Sequence, residues 1–542
     1  MSYDKKNLDE NEMLQKGRMS VLFCTEGTYP FFPGGVSSWC QTLIEGMEDI
    51  DFHIISVIGN QNVELLYNLP PNVKSLYALP LWNIEEPFGY TNGYTIQHAK
   101  LKKKETTELI IEDKFIPLFI HFLDGIENKN INLYDYALIF SEMNSYFERY
   151  DYSKTMLSKP VWETFKKTIY EKYVKYNTIY SNDEIPTLYD LTTCMKWLFH
   201  LLMVLNIPIP RTDLVHSSVA AFTSLPGIIS KVRYKIPFLL TEHGVYLRER
   251  YYAISVSDIP YFSKRFLINL TSLIARLSYE MADQISPVCK FNVKWENFFG
   301  ADENKIKVIY NGIDPDVFVP MKKPHHFKEI PVVTVVGKVV PFKDIESAIK
   351  AAKIVKDRFP NVLFLEYGSL DEDIEYYNKC KKLVKDLNLS ETFIFKGHKI
   401  SNPYEIYNRG DLTLLTSISE GHPYSVIESL SCERPVVATD VGGIPEVLEG
   451  CGLIVQPKDY EAIAQAIIEL LNNNSLREEL GKKGRIKVKK EFDIEKNLSL
   501  YKLSYRSLVD SSFAASKSQF ITENIILKNL IKDYKERFNE QR

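Results

Sequence analysis

Two glutamates eight positions apart bracket the stretch Ser419-Glu420-Gly421-His422-Pro423-Tyr424-Ser425-Val426-Ile427-Glu428. The apolar run at 412–416 just before it reads as a buried parallel strand. A helix is expected to open there and continue through Ser429, Leu430, Ser431 and Cys432. Pro423 suits its first turn, where a missing N–H costs little. The N–H groups of Tyr424, Ser425 and Val426 then point out of the helix N-terminus and form an anion site. A carboxylate facing an anion would repel it. Glu420 and Glu428 therefore make better sense as acceptors for hydroxyls on either side of a phosphate. A ligand that presents hydroxyls, a diphosphate and hydroxyls again is a sugar nucleotide. An ordinary solvated helix start with two incidental glutamates is the competing account.

The elements around this stretch must position it. Strand–helix alternation at about thirty-residue spacing, with strands at 332–336, 362–366, 392–395, 412–415 and 436–439, predicts parallel βαβ units. The first strand runs into Gly337-Lys338-Val339-Val340-Pro341-Phe342-Lys343, a loop on the ligand side of such a sheet. Earlier in the chain, strands are expected at 20–24, 52–58, 213–217, 237–244, 283–288 and 307–310. The segment at 69–82 reads as irregular chain punctuated by prolines. After the first strand, Gly34-Gly35 precedes a helix with Ser37 or Ser38 near its cap, a second candidate anion cradle. It lacks G-x-G-x-x-G, so a dinucleotide site is not supported. His243-Gly244 ends a strand, where ligands gather in open α/β sheets. Arg248, Glu249 and Arg250 read as an exposed charge cluster. From about 95 to 210 apolar residues recur at helical spacing, as in Phe115, Leu118, Phe119 and Phe122, which predicts a helical insertion.

Glu420 and Glu428, after a strand ending in Thr416-Ser417, resemble the donor motif of the retaining glycosyltransferases of family 4. The resemblance implies that Glu420 holds the donor sugar and Glu428 the ribose. That family has Gly-Arg followed five residues later by Lys; here Gly337 and Lys343 match and Lys338 stands at the arginine. Lysine keeps the charge but loses the bidentate fork. Gly397-His398 resembles the loop against the nucleobase, and Asp440-Val441-Gly442-Gly443 a supporting loop. Asn311-Gly312-Ile313-Asp314 resembles the turn closing the first domain of GT-B enzymes. Glu26-Gly27-Thr28-Tyr29-Pro30, Gly34-Gly35-Val36-Ser37-Ser38-Trp39, Thr241-Glu242-His243-Gly244 and Arg248-Glu249-Arg250 resemble PelF-type glycosyltransferases of Pel exopolysaccharide assembly. This implies a UDP-sugar donor, UDP-glucose being the usual one, and a polysaccharide acceptor.

Composition sets bounds. The 542 residues exceed what one core usually serves, so two or three domains are expected. A net charge of −4 gives no general pull toward nucleic acid. Seven scattered cysteines without a C-x-x-C pair read as buried thiols in a reducing cytosol. The apolar run at 197–210 is short and interrupted by His200, Asn206 and two prolines, so no span is expected. Asp314-Pro315-Asp316 and Asp371-Glu372-Asp373 match Asp-x-Asp, but the other features of that metal-dependent fold are missing, and no metal is expected.

The expected architecture is therefore α/β of the GT-B class, with two Rossmann-like domains facing a central cleft. A charged leader at 1–18 precedes a first, acceptor-side domain at 19–320. A nucleotide-sugar domain follows at 321–490, and helices at 491–542 cross back to the first. The resemblance implies that Lys338, Lys343 and the amides of Tyr424, Ser425 and Val426 neutralise the leaving diphosphate. Glu420 and His243 then contact the sugar, Gly34-Gly35 approaches phosphate or acceptor, and His398 meets the base. The site is expected to be cytoplasmic, possible inner-membrane synthase subunits being partners by analogy. Two other classes stay open: another GT-B enzyme such as a UDP-N-acetylglucosamine 2-epimerase, and a non-catalytic UDP-sugar-binding subunit of a secretion complex.

Overall fold

The computed structural model describes residues 17–82, 96–128, 131–177, 186–397 and 402–515. Most of the expected leader, the end of the C-terminal helices and His398 lie outside them. The chain divides into two compact units. The first takes the residues up to Ser286, Glu296–Ile306 and the chain from Lys502. The second takes Pro287–Trp295 and Lys307–Tyr501.

In the first unit six strands, Met19–Glu26 (β1), Ile50–Ile58 (β2), Val73–Pro80 (β3), Leu214–Ser217 (β4), Phe238–Glu242 (β5) and Gln284–Pro287 (β6), form one sheet. Their order is β3-β2-β1-β4-β5-β6, with β1, β2, β3, β4 and β5 paired in parallel. The central strands are apolar on both faces, as a sheet covered by helices on both sides requires. The insertion is helical as expected: Ile96–Glu105, Ile116–Glu127, Leu133–Arg149, Lys159–Asn177 and Leu188–Leu201. Phe115, Phe119 and Phe122 are fully buried in its core. One helical stretch among the described residues, Leu188–Asn206, is long and apolar enough to cross a membrane by length and composition, and half of its apolar window is buried. The C-terminal helix belongs to this unit from Lys502: Tyr505 hydrogen-bonds buried His216 (2.7 Å), and Ser504 accepts from Gln284 (3.0 Å).

In the second unit the strands are Val332–Val336 (β7), Leu363–Tyr367 (β8), Phe393–Phe395 (β9), Leu412–Leu415 (β10), Val436–Thr439 (β11) and Gly452–Val455 (β12). All are parallel, in the order β12-β11-β10-β7-β8-β9. Both sheets thus share the doubly wound order, reversing between β1 and β4 in one and between β7 and β10 in the other.

Three expectations change. β3 runs through a stretch that reads as irregular, and β12 falls outside every expected strand. Both are half-buried sheet edges, so neither carries a strong apolar run. The strand expected at 307–310 does not form. An isolated bridge at the preceding Ile306 and a bond from the Ile309 N–H to Pro287 O (3.0 Å) take the place of a strand. All seven cysteines are buried thiols.

Candidate active site

A doubly wound sheet leaves a crevice beyond the carboxyl ends of the strands where its order reverses. In the second unit that point is the pair of loops after β7 and β10, and the sequence motifs fall on both. The two loops are tied together. The Ile418 N–H donates to Phe342 O (2.8 Å), and the Thr416 hydroxyl bonds the carbonyls of Lys343 (2.9 Å) and Asp344 (3.0 Å). Across this junction Lys343 Nζ meets Glu420 Oε1 at 2.5 Å, and Ser417 donates to the same oxygen. The two side chains are only 15% and 10% exposed, so the pair is preorganised rather than a solvent-mobile contact.

Lys338 is not part of that pair. Its amine sits 2.7 Å from Glu372, both side chains more than a third exposed. The residues expected to act together on a diphosphate are thus divided between two ion pairs. Gly337 donates its N–H to Tyr367 O (3.0 Å). A Cβ on Gly368 would come within 1.8 Å of Gly337 O, so that approach needs glycine.

The helix after Glu420 spans Tyr424–Ser431. Pro423 is its N-cap, with extended backbone (φ −73°, ψ 124°), not its first-turn residue. Val426 is a second correction. Its N–H donates to Pro423 O (3.3 Å), because the proline carbonyl turns back into the first turn, so this amide is not an open donor. Tyr424 and Ser425 occupy the first two helical positions, where N–H groups lack intrahelical carbonyls. Glu428 lies one turn inside and accepts from the hydroxyl of Tyr407. Burial pushes its carboxyl up to about 7, opposed by that hydroxyl. Gly442 and Gly443 back the motif: the Gly443 N–H donates to Gly421 O (2.8 Å).

In the first unit, a cavity of about 450 Å³ opens at the carboxyl ends of β1, β2, β4 and β5. Glu26, Thr28, Trp82, His243, Tyr246 and Arg250 line it. The His243 ring stands edge-on to Trp39 (4.4 Å), and its Nε2 is buried with no hydrogen-bond partner among the described residues. Burial lowers its pKa to about 3, so the imidazole is neutral. Glu26 Oε2 and Thr28 Oγ1 are likewise buried without partners. Three orphaned polar atoms on one cavity fit a ligand rich in hydroxyls. Behind His243, Glu242 accepts from Tyr279 (2.7 Å) and from the Tyr246 N–H (3.2 Å), which anchors the turn.

Two first-unit expectations need correction. The helix begins at Gly35 with Gly34 as N-cap and no side-chain cap, so Ser37 and Ser38 lie inside it. The cavity is lined by Val36 rather than by Gly34 or Gly35. Arg250 is exposed as expected, its side chain 49% accessible, and it also reaches Glu26 at 3.7 Å and lines the cavity.

Glu366 escaped the sequence reading. It is fully buried at the end of β8, and neither carboxylate oxygen has a partner among the described residues. Its signal was a charged residue within the otherwise apolar strand Leu363-Phe364-Leu365-Glu366-Tyr367. Burial pushes its pKa up to about 9. The folded state therefore keeps a proton that the unfolded chain releases above its ordinary value near 4.5. Stability from this group is fully present below that value and falls by ~1.4 kcal/mol per pH unit as pH rises toward 9. Melting from pH 5 to 9 is expected to show this decline, and Glu366→Gln to flatten it. Parallel melting curves for the two proteins would show that the carboxyl is solvated.

Among the described residues no cluster of three or more His, Cys, Asp or Glu is placed to hold a metal ion. The two sheets define a two-domain α/β protein with polar side chains gathered at the switch point of each. Residues 19–304, over half of the chain, match the family model described as Domain of unknown function (DUF3492), and the chain belongs to that family. Residues 320–487, within the second unit, match the model described as Glycosyl transferases group 1.

The chain is 28% identical over 306 residues to the uncharacterized glycosyltransferase MJ1178 of Methanocaldococcus jannaschii, covering 55% of this chain and 76% of that one. It is 31% identical over 241 residues to the capsular polysaccharide biosynthesis glycosyltransferase CapM of Staphylococcus aureus, covering 42% and 62%. Among solved structures, a sucrose-phosphate synthase from Thermosynechococcus elongatus superimposes with TM-score 0.56 at 16% identity, over 92% of this chain and 100% of that one. Anabaena HepE in complex with UDP gives 0.55 at 14%, over 90% and 100%. These likenesses establish the GT-B fold class of two Rossmann-like domains.

Proposed function

We propose that this protein is a retaining glycosyltransferase that moves a sugar from a UDP-sugar, UDP-glucose being favoured, to a growing polysaccharide of the Pel type. The observation that carries the reading is the Lys343–Glu420 pair fixed at the β7/β10 switch point, on the loop that leads into the helix bearing Glu428. Lys343 and Lys338 take up the charge of the departing diphosphate with the first-turn amides of Tyr424 and Ser425. Such groups stabilise charge that develops in the transition state, and losing one costs roughly 10²–10³ in rate. Glu420 holds donor-sugar hydroxyls, and Glu428 holds the ribose.

In the first unit, neutral His243 offers Nε2 to a sugar hydroxyl, and Glu26 with Thr28 meets acceptor hydroxyls. An acceptor hydroxyl attacks the anomeric carbon from the face the diphosphate leaves. A C–O bond to the acceptor forms as the C–O bond to phosphate breaks, and the hydroxyl proton passes to the departing phosphate oxygen. The configuration is retained without a protein nucleophile. Forms of HepE bound to UDP, and to UDP and glucose, support the nucleotide, and the capsular-polysaccharide relative supports the acceptor class. We place the reaction in the cytoplasm, with membrane synthase subunits as partners.

A panel of UDP-sugars scored for UDP release tests this. Release is expected from UDP-glucose and to rise at least tenfold with acceptor oligosaccharide. Conversion of UDP-N-acetylglucosamine without acceptor, or UDP binding with no turnover of any donor, would overturn the proposal.

A further inference from the structure

Glu428 does not stand alone. Its Oε2 accepts from the hydroxyl of Tyr407, on the helix Pro403–Arg409. Its Oε1 has no hydrogen-bond partner among the described residues. Tyr407 is 1% exposed, and its ring packs against Phe318 at 6.3 Å. The neighbouring Asn408 pins the same helix, donating to Val319 O (2.9 Å) and accepting from the Met321 N–H (2.7 Å). The phenol therefore cannot swing away, and the carboxylate it holds has one oxygen committed and one open.

We propose that Tyr407 is a positioning residue that fixes the Glu428 carboxylate through Oε2, leaves Oε1 to accept a ribose hydroxyl, and so makes the site selective for ribonucleotide over deoxyribonucleotide donors. This rests on the reading that Glu428 holds the ribose. A carboxyl can accept two hydrogen bonds on the side that matters only when ionised; a protonated one must also place its own O–H. Burial works against ionisation here, raising the Glu428 pKa to about 7, and the Tyr407 hydroxyl works for it. Among the described residues, the Cys432 thiol, one turn on and itself pushed up to about 12 by burial, also feels Glu428. Arg434 and Arg485 act on Cys432, and among the described residues the Tyr407 hydroxyl is the group that opposes burial at Glu428. Burial sets the upward direction, and the Tyr407 hydroxyl holds it back.

The sign follows. Donor affinity in the wild type rises as pH increases through about 7, where Glu428 loses its proton. Removing a donor that favours the ionised form moves that rise to higher pH.

The test uses the full chain with UDP-glucose and its 2′-deoxyribose and 3′-deoxyribose analogues from pH 6 to 9. The wild type is expected to favour UDP-glucose over one or both analogues by roughly tenfold or more, the scale of a hydrogen bond to a charged group. Tyr407→Phe is expected to raise KM about tenfold at pH 7 with kcat within about twofold, equivalent to a pKa shift of about one unit. Its KM–pH midpoint moves up correspondingly, most of the affinity returns at pH 9, and ribose discrimination shrinks. Tyr407→His, which keeps a ring donor, recovers part of the affinity and serves if the phenylalanine variant is unstable. If Tyr407→Phe keeps the wild-type midpoint and ribose preference while Glu428→Gln loses that preference, Tyr407 has no positioning role and the ribose reading stands. If Glu428→Gln keeps wild-type discrimination, the ribose reading itself fails.

Discussion

Lys343→Ala is expected to lower kcat/KM for sugar transfer by roughly 10²–10³-fold, the range for losing one preorganised charge-stabilising donor. The structure adds a stability cost to that loss. Glu420 is 10% exposed and pairs with Lys343 and Ser417 through one oxygen. Removing the amine leaves a poorly solvated carboxylate with a single hydroxyl donor. Breaking a fully buried pair costs about 3–5 kcal/mol; with Ser417 still donating and some solvent access, roughly 1–3 kcal/mol is expected here. Inactivity alone therefore proves little, and a paired variant separates the causes. Lys343→Met with Glu420→Gln removes both charges, keeps the volume, and is expected to regain the wild-type melting temperature. It is not expected to regain transfer, because the diphosphate charge is still unopposed. Recovery of turnover in that double variant, measured as UDP release, would show that the pair serves only the fold. Lys338, in a half-exposed pair with Glu372, is expected to matter less to stability and to act only on donor turnover.

What was readable in the chain follows from burial. β1, β2, β4 and β5, and β7, β8, β10 and β11, are buried or nearly so, and their apolar runs announced them. β3 and β12 sit on edges, need no such runs, and were missed. The switch-point loops were readable because glycines and charges follow directly on those runs, at Gly337-Lys338, Glu420-Gly421 and His243-Gly244. Pairing was not. Nothing in the spacing says that Lys343 meets Glu420 while Lys338 meets Glu372, or that Arg250 folds back to Glu26. Such pairs join segments up to 224 residues apart along the chain, and only the sheet order brings them together. Tyr407 was invisible for a different reason: a buried tyrosine on a short helix reads as core until its hydroxyl is seen on Glu428. Glu366 did leave a trace, a carboxylate inside an apolar strand.

Gly442→Ala is expected to be nearly as damaging as loss of Lys343, though it carries no functional group. Gly442 has φ 58°, and a Cβ there would lie 1.8 Å from the carbonyl oxygen of Glu420 and 2.6 Å from its carbonyl carbon. The obstacle is backbone, so no side-chain rotation relieves it. The Glu420-Gly421 peptide must retreat, and with it go the Gly443–Gly421 hydrogen bond and the placement of Glu420 against Lys343. A left-handed backbone alone costs an alanine roughly 1–2 kcal/mol. Gly450 isolates that part: its φ is 73°, and a Cβ there would meet nothing within 4 Å. Gly450→Ala is therefore expected to cost about 1 kcal/mol of stability and to leave transfer unchanged. Gly442→Ala is expected to lose more stability than that and at least a hundredfold in transfer, on the scale of one misplaced ångström at a reacting centre. Equal melting shifts and equal activities in the two variants would mean that the Glu420 loop yields freely, and that its close seat on Gly442 does nothing for the chemistry.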